Sequence, residues 1–148
     1  MFIQQISVFL ENVPGRLRAV TCILAENNVN MRALTLADTS DFGVLRIIVD
    51  HPEEAMNILK KNNFIVKMAD VIAIEMDDNP GGLDAVLKVM EDYEINIEYM
   101  YAFMSSKPKK AMVIFRVDKL EESVKCLKDG GIKLICSQEK IAALLSDS

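Results

Sequence analysis

The residues best suited to chemistry in this chain belong to a short motif that occurs twice. It reads Asn12-Val13-Pro14-Gly15, and 66 positions later it returns as Asp78-Asn79-Pro80-Gly81. A glycine lets a small ligand approach the backbone, and free amides at the start of a helix favour a carboxylate. An asparagine amide also accepts hydrogen bonds, which suits an ammonium group. The motif predicts a corner for a small zwitterion, although proline and glycine between a strand and a helix also have a purely structural use.

A second asparagine follows each motif at the same interval. Val29-Asn30-Met31 returns as Ile95-Asn96-Ile97, so the chain contains an internal repeat. Later in each half the interval is 68 residues, from Leu59-Lys60 to Leu127-Lys128, which places a two-residue insertion in a turn of the second copy. We predict two domains, residues 1–68 and 69–148.

Each copy must position its motif between a strand and a helix. The strand is indicated by apolar residues with a period of two, Ile6, Val8 and Leu10, then Ile72, Ile74 and Met76. The helix is indicated by apolar residues spaced by three and four, Leu17, Val20 and Leu24, then Leu83, Val86, Leu87 and Met90.

The remainder of each copy predicts a hairpin, a second helix and a last strand. Residues 30–36 and 44–49 are apolar-rich and partly β-branched, with a turn-forming segment between them. Asp50 and Asp118 each precede a glutamate by three residues, which predicts that they cap the second helices. Asn62-Asn63 and Gly130-Gly131 should end those helices, and residues 64–68 and 132–136 should form strands. A short helix over 137–145 closes the chain.

The order strand, helix, strand, strand, helix, strand predicts an α+β fold of two ferredoxin-like βαββαβ units. Right-handed crossovers fold each unit into an antiparallel sheet with both helices on one face. An apolar strip on the other face favours a homodimer, since burying it stabilises by about 25 cal/mol per Å². Residues 99–104, Tyr-Met-Tyr-Ala-Phe-Met, are apolar or aromatic on both faces, which favours a buried strand over a wall that faces a ligand.

The motifs and their setting resemble the ACT domain, a small regulatory module that binds amino acids. The resemblance covers essentially the whole chain, as two ACT domains in tandem. It implies a ligand at the seam between paired domains, held by the first loop and the start of the second strand. The implied ligand-binding residues are Asn12, Val13, Pro14, Gly15, Asn30 and Met31 in the first copy, and Asp78, Asn79, Gly81 and Asn96 in the second.

The second copy departs from this pattern. Asp78 replaces an amide with a carboxylate, Asn79 stands one position later, and Gly82 replaces Arg16. Asp78 could attract an ammonium group or repel a carboxylate. The family's site can carry a histidine two residues before the loop asparagine, where this chain has Leu10, so the resemblance does not imply the ligand's identity.

Composition excludes several other classes of function. A net charge of −5 and a pI near 4.9 argue against nucleic acid as a partner. The sequence has neither a signal-peptide pattern nor an apolar run of membrane-spanning length, which indicates a cytoplasmic protein without a membrane partner. Three cysteines without metal-type spacing indicate reduced, packed thiols. We expect no cofactor and no metal, and we read Lys107-Pro108-Lys109-Lys110 as a solvated basic turn.

The preferred hypothesis is a non-catalytic sensor of a small amino acid or related metabolite that acts on a metabolic enzyme or regulator. His51, the only histidine, is expected to cap a helix rather than to serve catalysis. Residues 6–12 also resemble the start of the regulatory subunit of acetolactate synthase, which leaves that role open. A dimerisation module without a ligand is a further alternative. An acylphosphatase would need a glycine-valine-glutamine-glycine loop, which is absent.

Overall fold

A computed structural model describes residues 2–38 and 41–145. The first half contains β1 Ile3–Glu11, α1 Arg16–Glu26, β2 Met31–Asp38, β3 Phe42–Val49 and α2 Pro52–Lys61. The long strand β4, Ile65–Asp77, follows. The second half continues with α3 Gly82–Asp92, β5 Ile97–Met104, β6 Lys110–Val117, α4 Leu120–Asp129, β7 Lys133–Ile135 and α5 Gln138–Leu145. The predicted closing helix is therefore confirmed as α5.

The first unit comprises Gln4–Ala69, with strand order β2-β3-β1-β4. Strands β1 and β3 pair antiparallel, as do β2 and β3. Alternate residues of β1 and β3 pack against both helices in one core, made of Ile6, Val8, Leu10, Val20, Leu24, Leu45, Ile47, Val49, Ala55, Leu59 and Phe64. The predicted period-two strand and helical stripe meet in this core, because each presents one apolar face.

The second unit begins at Asp70 and also takes in Ile3 at the start of β1. Its strand order is β5-β6-β4, with β7 antiparallel to β4 on the other side. The helices again cover one face, in a core made of Ile72, Ile74, Val86, Met90, Ile95, Val113, Phe115, Val117, Val124, Cys126 and Leu127. The predicted pair of βαββαβ units is confirmed.

Strand β4 differs from the prediction, because it joins two segments that the sequence presents as separate strands. Residues 64–68 close the first repeat and Ile72 opens the second, yet Ile65–Asp77 is one continuous strand of 13 residues. The division between the units falls inside it, after Ala69. No glycine or proline interrupts this segment, so nothing in it ends a strand. We keep 1–68 and 69–148 as a proposal for the two domains.

The ends of the second helices agree with the prediction, but their starts do not. Asn63 and Gly131 have φ angles of 66° and 77°, the left-handed conformation that ends a helix. The residues that precede the helices are His51 and Lys119, and neither start has a side-chain cap. The predicted capping by Asp50, Asp118 and His51 is therefore wrong.

Both aspartates instead bind the start of a neighbouring strand. Arg32 donates two hydrogen bonds to Asp50, at 3.0 and 2.9 Å, and these lower the pKa of the Asp50 carboxyl and raise that of the guanidinium. Asp118 Oδ1 accepts a hydrogen bond from the backbone N–H of Asn96 at 3.1 Å. A carboxylate within reach of a bidentate guanidinium gains more from that partner than from one helix amide, which explains why Asp50 does not cap α2.

We expect the Asp50→Asn variant to lose stability near neutral pH and to match the native chain in strong acid. Because the folded pKa of Asp50 is lowered, its contribution is present above the unfolded value of about 3.9 and is lost as pH falls through the folded value. The side chain is 34% exposed, so the loss should be about 0.5–1 kcal/mol. Urea unfolding near pH 7 and pH 2 measures it. Asp70→Asn, whose carboxylate has no ion pair among the described residues, is the control and should change little.

Three other expectations differ from the structure. None of the eight residues of β5 is buried, so the predicted buried strand is wrong for the chain alone. Cys22 is exposed rather than packed, whereas burial raises the pKa of the Cys126 thiol. The basic turn is not simply solvated, because Lys110 pairs with Asp77 and Lys107 lies 3.6 Å from Glu75.

No helix of the described residues combines the length and apolarity needed to span a membrane.

Candidate functional site

The first corner is an open turn between β1 and α1. Gly15 has φ of 87° directly before the helix, and a Cβ atom there would meet no other atom within 4 Å. No side chain caps the helix, and no hydrogen bond joins the amides of Leu17 and Arg18 to another described residue. These amides and the helix dipole favour an anionic group at this corner.

A cavity of about 210 Å³ opens beside this corner. Its lining residues are Leu10, Glu11, Asn12, Val13, Arg16, Leu17, Leu36, Ala37, Asp38 and Gly43. Asn12 donates a long hydrogen bond of 3.4 Å to Asp38, which leaves the oxygen of its amide as an acceptor. Arg16 stacks on Phe64, with 5.2 Å between its guanidinium carbon and the ring centroid, and its buried Nε has no hydrogen-bond partner in the part of the chain that the structure describes.

Asn30 lies at the opposite end of the first unit. The corner adjoins the β3 residue Gly43, whereas the start of β2 pairs with Val49. Six residues of strand at about 3.3 Å each separate these ends by about 20 Å. Asn30 lines another cavity, of about 320 Å³, together with the Arg32–Asp50 pair. The structure therefore does not bring Asn12 and Asn30 of one domain together.

The other predicted residues of the first copy divide in the same way. Val13 and Pro14 are exposed at the corner, and Val13 lines its cavity. Met31 follows Asn30 at the far end and is partly buried against the core.

The second corner repeats the backbone of the first but not its surroundings. Gly81 has φ of 88° before α3, again with open space where a Cβ atom would lie. Asn79 and Gly81 line a cavity of about 430 Å³, whereas the Asp78 amide donates to the Lys109 carbonyl at 2.8 Å. Asn96 lies at the other end of the unit, where its backbone N–H donates a hydrogen bond to Asp118. The second corner also leaves Asn96 remote from its loop.

Sequence reasoning missed several residues that shape these cavities. Arg16 and Asp38 border the first cavity, while Glu75, Lys110 and Lys133 border the second. Arg16 and Glu75 were signalled by differences between the copies, since Arg16 aligns with Gly82 and Phe9 with Glu75. Within residues 2–38 and 41–145 no group of three or more histidine, cysteine, aspartate or glutamate side chains could hold a metal ion. These sites offer hydrogen bonds and charge.

The sequence profile of the ACT domain pair matches residues 1–144. The chain belongs to the ACT domain pair family. Among solved structures, protein BT0572 from Bacteroides thetaiotaomicron is 38% identical, with a TM-score of 0.89 over 95% of this chain and 96% of that chain. The two ferredoxin-like units are therefore ACT domains, and the predicted resemblance is confirmed.

More distant structures share the fold of the ACT pair. The regulatory subunit of aspartate kinase from Thermus thermophilus, in its ligand-free form, is 15% identical, with a TM-score of 0.62 over 86% of this chain and 91% of that chain. The corresponding subunit from Thermus flavus is 15% identical, with a TM-score of 0.61 over 86% and 92%. No curated protein matches the sequence.

Proposed function

We propose that this ACT domain pair is a non-catalytic sensor that binds a small amino acid where two ACT domains meet. The observation that supports it most is the first corner, where Asn12 and Leu17, whose backbone amide is free, line one cavity at the start of α1. The amides suit a carboxylate, and the Asn12 and Asp38 oxygens suit an ammonium group. Neither a metal cluster among the described residues nor a histidine borders this cavity, so its groups support binding rather than bond cleavage.

The geometry of β2 supports a site shared by two copies. Strand β2 is at the end of the strand order, and Leu34 and Leu36 on it are 47% and 49% exposed. Antiparallel pairing of β2 with β2 of a second copy places the start of one strand beside the end of the other. Asn30 of one copy then lies beside the Asn12 corner of the other, and the separation of about 20 Å within one domain is removed.

Such a shared site couples ligand binding to assembly. A ligand held by both copies binds the paired arrangement better than the separate one, and only this difference can shift the equilibrium. A metabolic enzyme or regulator that contacts the paired form would receive the signal. We place the protein in the cytoplasm, where amino acid levels report on biosynthesis.

Thermal unfolding against each of the twenty amino acids tests this function. A ligand at a hundredfold excess over its dissociation constant stabilises by about 2.7 kcal/mol, which should raise the melting temperature by several degrees. Asn12→Ala and Asn30→Ala should each abolish the shift while the protein remains folded. Asn57→Ala, an exposed asparagine of α2, is the matched control and should retain it.

Two outcomes would contradict the proposal. If no amino acid raises the melting temperature of a folded dimer, the dimerisation module without a ligand replaces the sensor. If a shift persists unchanged in both Asn12→Ala and Asn30→Ala, an amino acid binds elsewhere and the shared site is wrong.

A further inference from the structure

Strand β2 carries opposite charges at its two ends, on one face of the sheet. Arg32 lies at its start, and Asp38 is its last residue. Arg32 lines a cavity together with residues of α2, and Asp38 lines one together with residues of α1, so both face the side that the helices cover. The five residues between them are uncharged. A strand that lies antiparallel to β2 would therefore meet a cation at one end and an anion at the other.

Each of these side chains has hydrogen-bonding capacity that its own chain does not use. Arg32 donates to Asp50 through Nε and Nη2, and its Nη1 has no hydrogen-bond partner among residues 2–38 and 41–145. Asp38 Oδ1 accepts the long bond from Asn12, and Oδ2 accepts none from the described residues. The Arg32 side chain is 23% exposed and Asp38 is exposed, so a second chain can reach both. A guanidinium and a carboxylate with unused positions suit a bond to each other.

The alternation of side chains limits how β2 can pair with β2 of a second copy. Opposite residues of an antiparallel pair lie on the same face, so the two-fold axis must pass through a residue and not between two. With Thr35 on the axis, Arg32 lies opposite Asp38 at both ends, and Leu34 lies opposite Leu36 between them. With Leu34 on the axis, Arg32 would lie opposite Leu36. The register centred on Thr35 is therefore the one that pairs each charge with its opposite.

The corresponding strand of the second domain, β5, lacks this complementarity. The repeat places Glu98 where β2 has Arg32, and Met104 where β2 has Asp38. In the equivalent register, β2 paired with β5 of a second copy would bring Asp38 opposite Glu98. Like charges directly opposite each other destabilise a strand pair. The ends of β2 thus favour a second β2 over β5.

We propose that Arg32 and Asp38 select the partner of β2. Two copies pair through β2 with Thr35 on the two-fold axis, and Arg32 of each copy binds Asp38 of the other while it keeps its own Asp50. This inference rests on the β2 pairing of the proposed function, to which it adds the register and the reason why β5 is rejected. Because Asp38 also lines the cavity beside Asn12, each ion pair joins the assembly to the binding site.

Exchange of the two charges between separate chains tests the choice of partner. Asp38→Lys and Arg32→Glu should each raise the dissociation constant of the dimer by about tenfold or more, because each places like charges opposite each other. An equimolar mixture of the two variants restores opposite charges at both ends and should recover the native dissociation constant within about threefold. Sedimentation equilibrium measures these constants. Glu98→Lys, on β5, is the control and should leave the dimer unchanged.

A cysteine on the two-fold axis tests the register without altering Arg32, whose replacement also disturbs its own domain. In a Cys22→Ser background, which removes the exposed thiol, oxidised glutathione should link Thr35→Cys into a covalent dimer, because the two thiols lie directly opposite. Leu34→Cys is the matched control and should remain largely unlinked, since its opposite residue is Leu36.

Three results would overturn the inference. They are a mixture that stays as weakly associated as its components, a covalent dimer from Leu34→Cys in place of Thr35→Cys, and a dimer that Glu98→Lys weakens or strengthens. Failure of the β2 interface itself appears separately, as a dimer that persists after Leu34→Lys and Leu36→Lys together. A native dimer that responds to no amino acid would contradict the sensor but not this pairing.

Discussion

The Gly82→Ala variant should be destabilised by about 2–3 kcal/mol, although alanine is the better helix former. A Cβ atom at Gly82 would lie 2.3 Å from the Asp77 carbonyl oxygen. That oxygen belongs to the backbone at the end of β4 and cannot turn away like a flexible side chain. The loop and the first turn of α3 must separate instead, which is expected to lower the melting temperature by roughly 10 °C.

Calorimetry or urea unfolding measures this loss, and Gly43→Ala is its matched control. A Cβ atom at Gly43 would have ordinary contacts, the nearest at 3.4 Å to the Leu36 side chain. Gly43→Ala should therefore change stability by less than about 1 kcal/mol. Equal losses in the two variants would show that the close approach to Asp77 does not determine the effect.

Replacing Leu34 and Leu36 together with lysine should convert the expected dimer into a monomer. Both side chains are about half exposed on the strand proposed to pair with a second copy. Charged side chains on an edge strand oppose strand addition, and two copies would bring four like charges together. The interface would also lose the apolar area that a pair of standard size, roughly 1,600 Å², requires.

Sedimentation measures the mass of the assembly, and Ile65→Lys is the control. Ile65 is 71% exposed on β4, so the Ile65→Lys variant also replaces an exposed apolar side chain, but one that lies outside β2. The double variant should remain folded, because neither leucine belongs to the core. A dimer that persists in the double variant and dissociates in Ile65→Lys would move the interface away from β2.

The sequence determined the fold of each domain because both periods of its apolar residues were unambiguous. Ile6, Val8 and Leu10 alternate on a strand, and Val20 and Leu24 follow the helical spacing, so only one pair of faces could meet. The repeat doubled this information, since Pro80 and Asn96 stand where Pro14 and Asn30 predict them. The helix-ending residues Asn63 and Gly131 were also readable, because few residues adopt a positive φ without cost.

Interactions between residues that are far apart along the chain could not be predicted from local sequence patterns. Asp50 has the local pattern of a helix cap, but Arg32, eighteen positions earlier, takes its carboxylate. The pairing of β4 with β1 and with β6 is likewise contained in no local pattern.

For the site, the sequence determined which backbone corners are free of side chains, and the tertiary structure decided what surrounds them. Gly15 and Gly81 predict open turns, because glycine adopts the left-handed conformation before a helix without steric cost. Only the folded chain separates Asn12 from Asn30 and leaves Glu75 buried beside an open cavity. Local conformation depends on neighbours along the chain, whereas burial and charge depend on residues that meet only after folding.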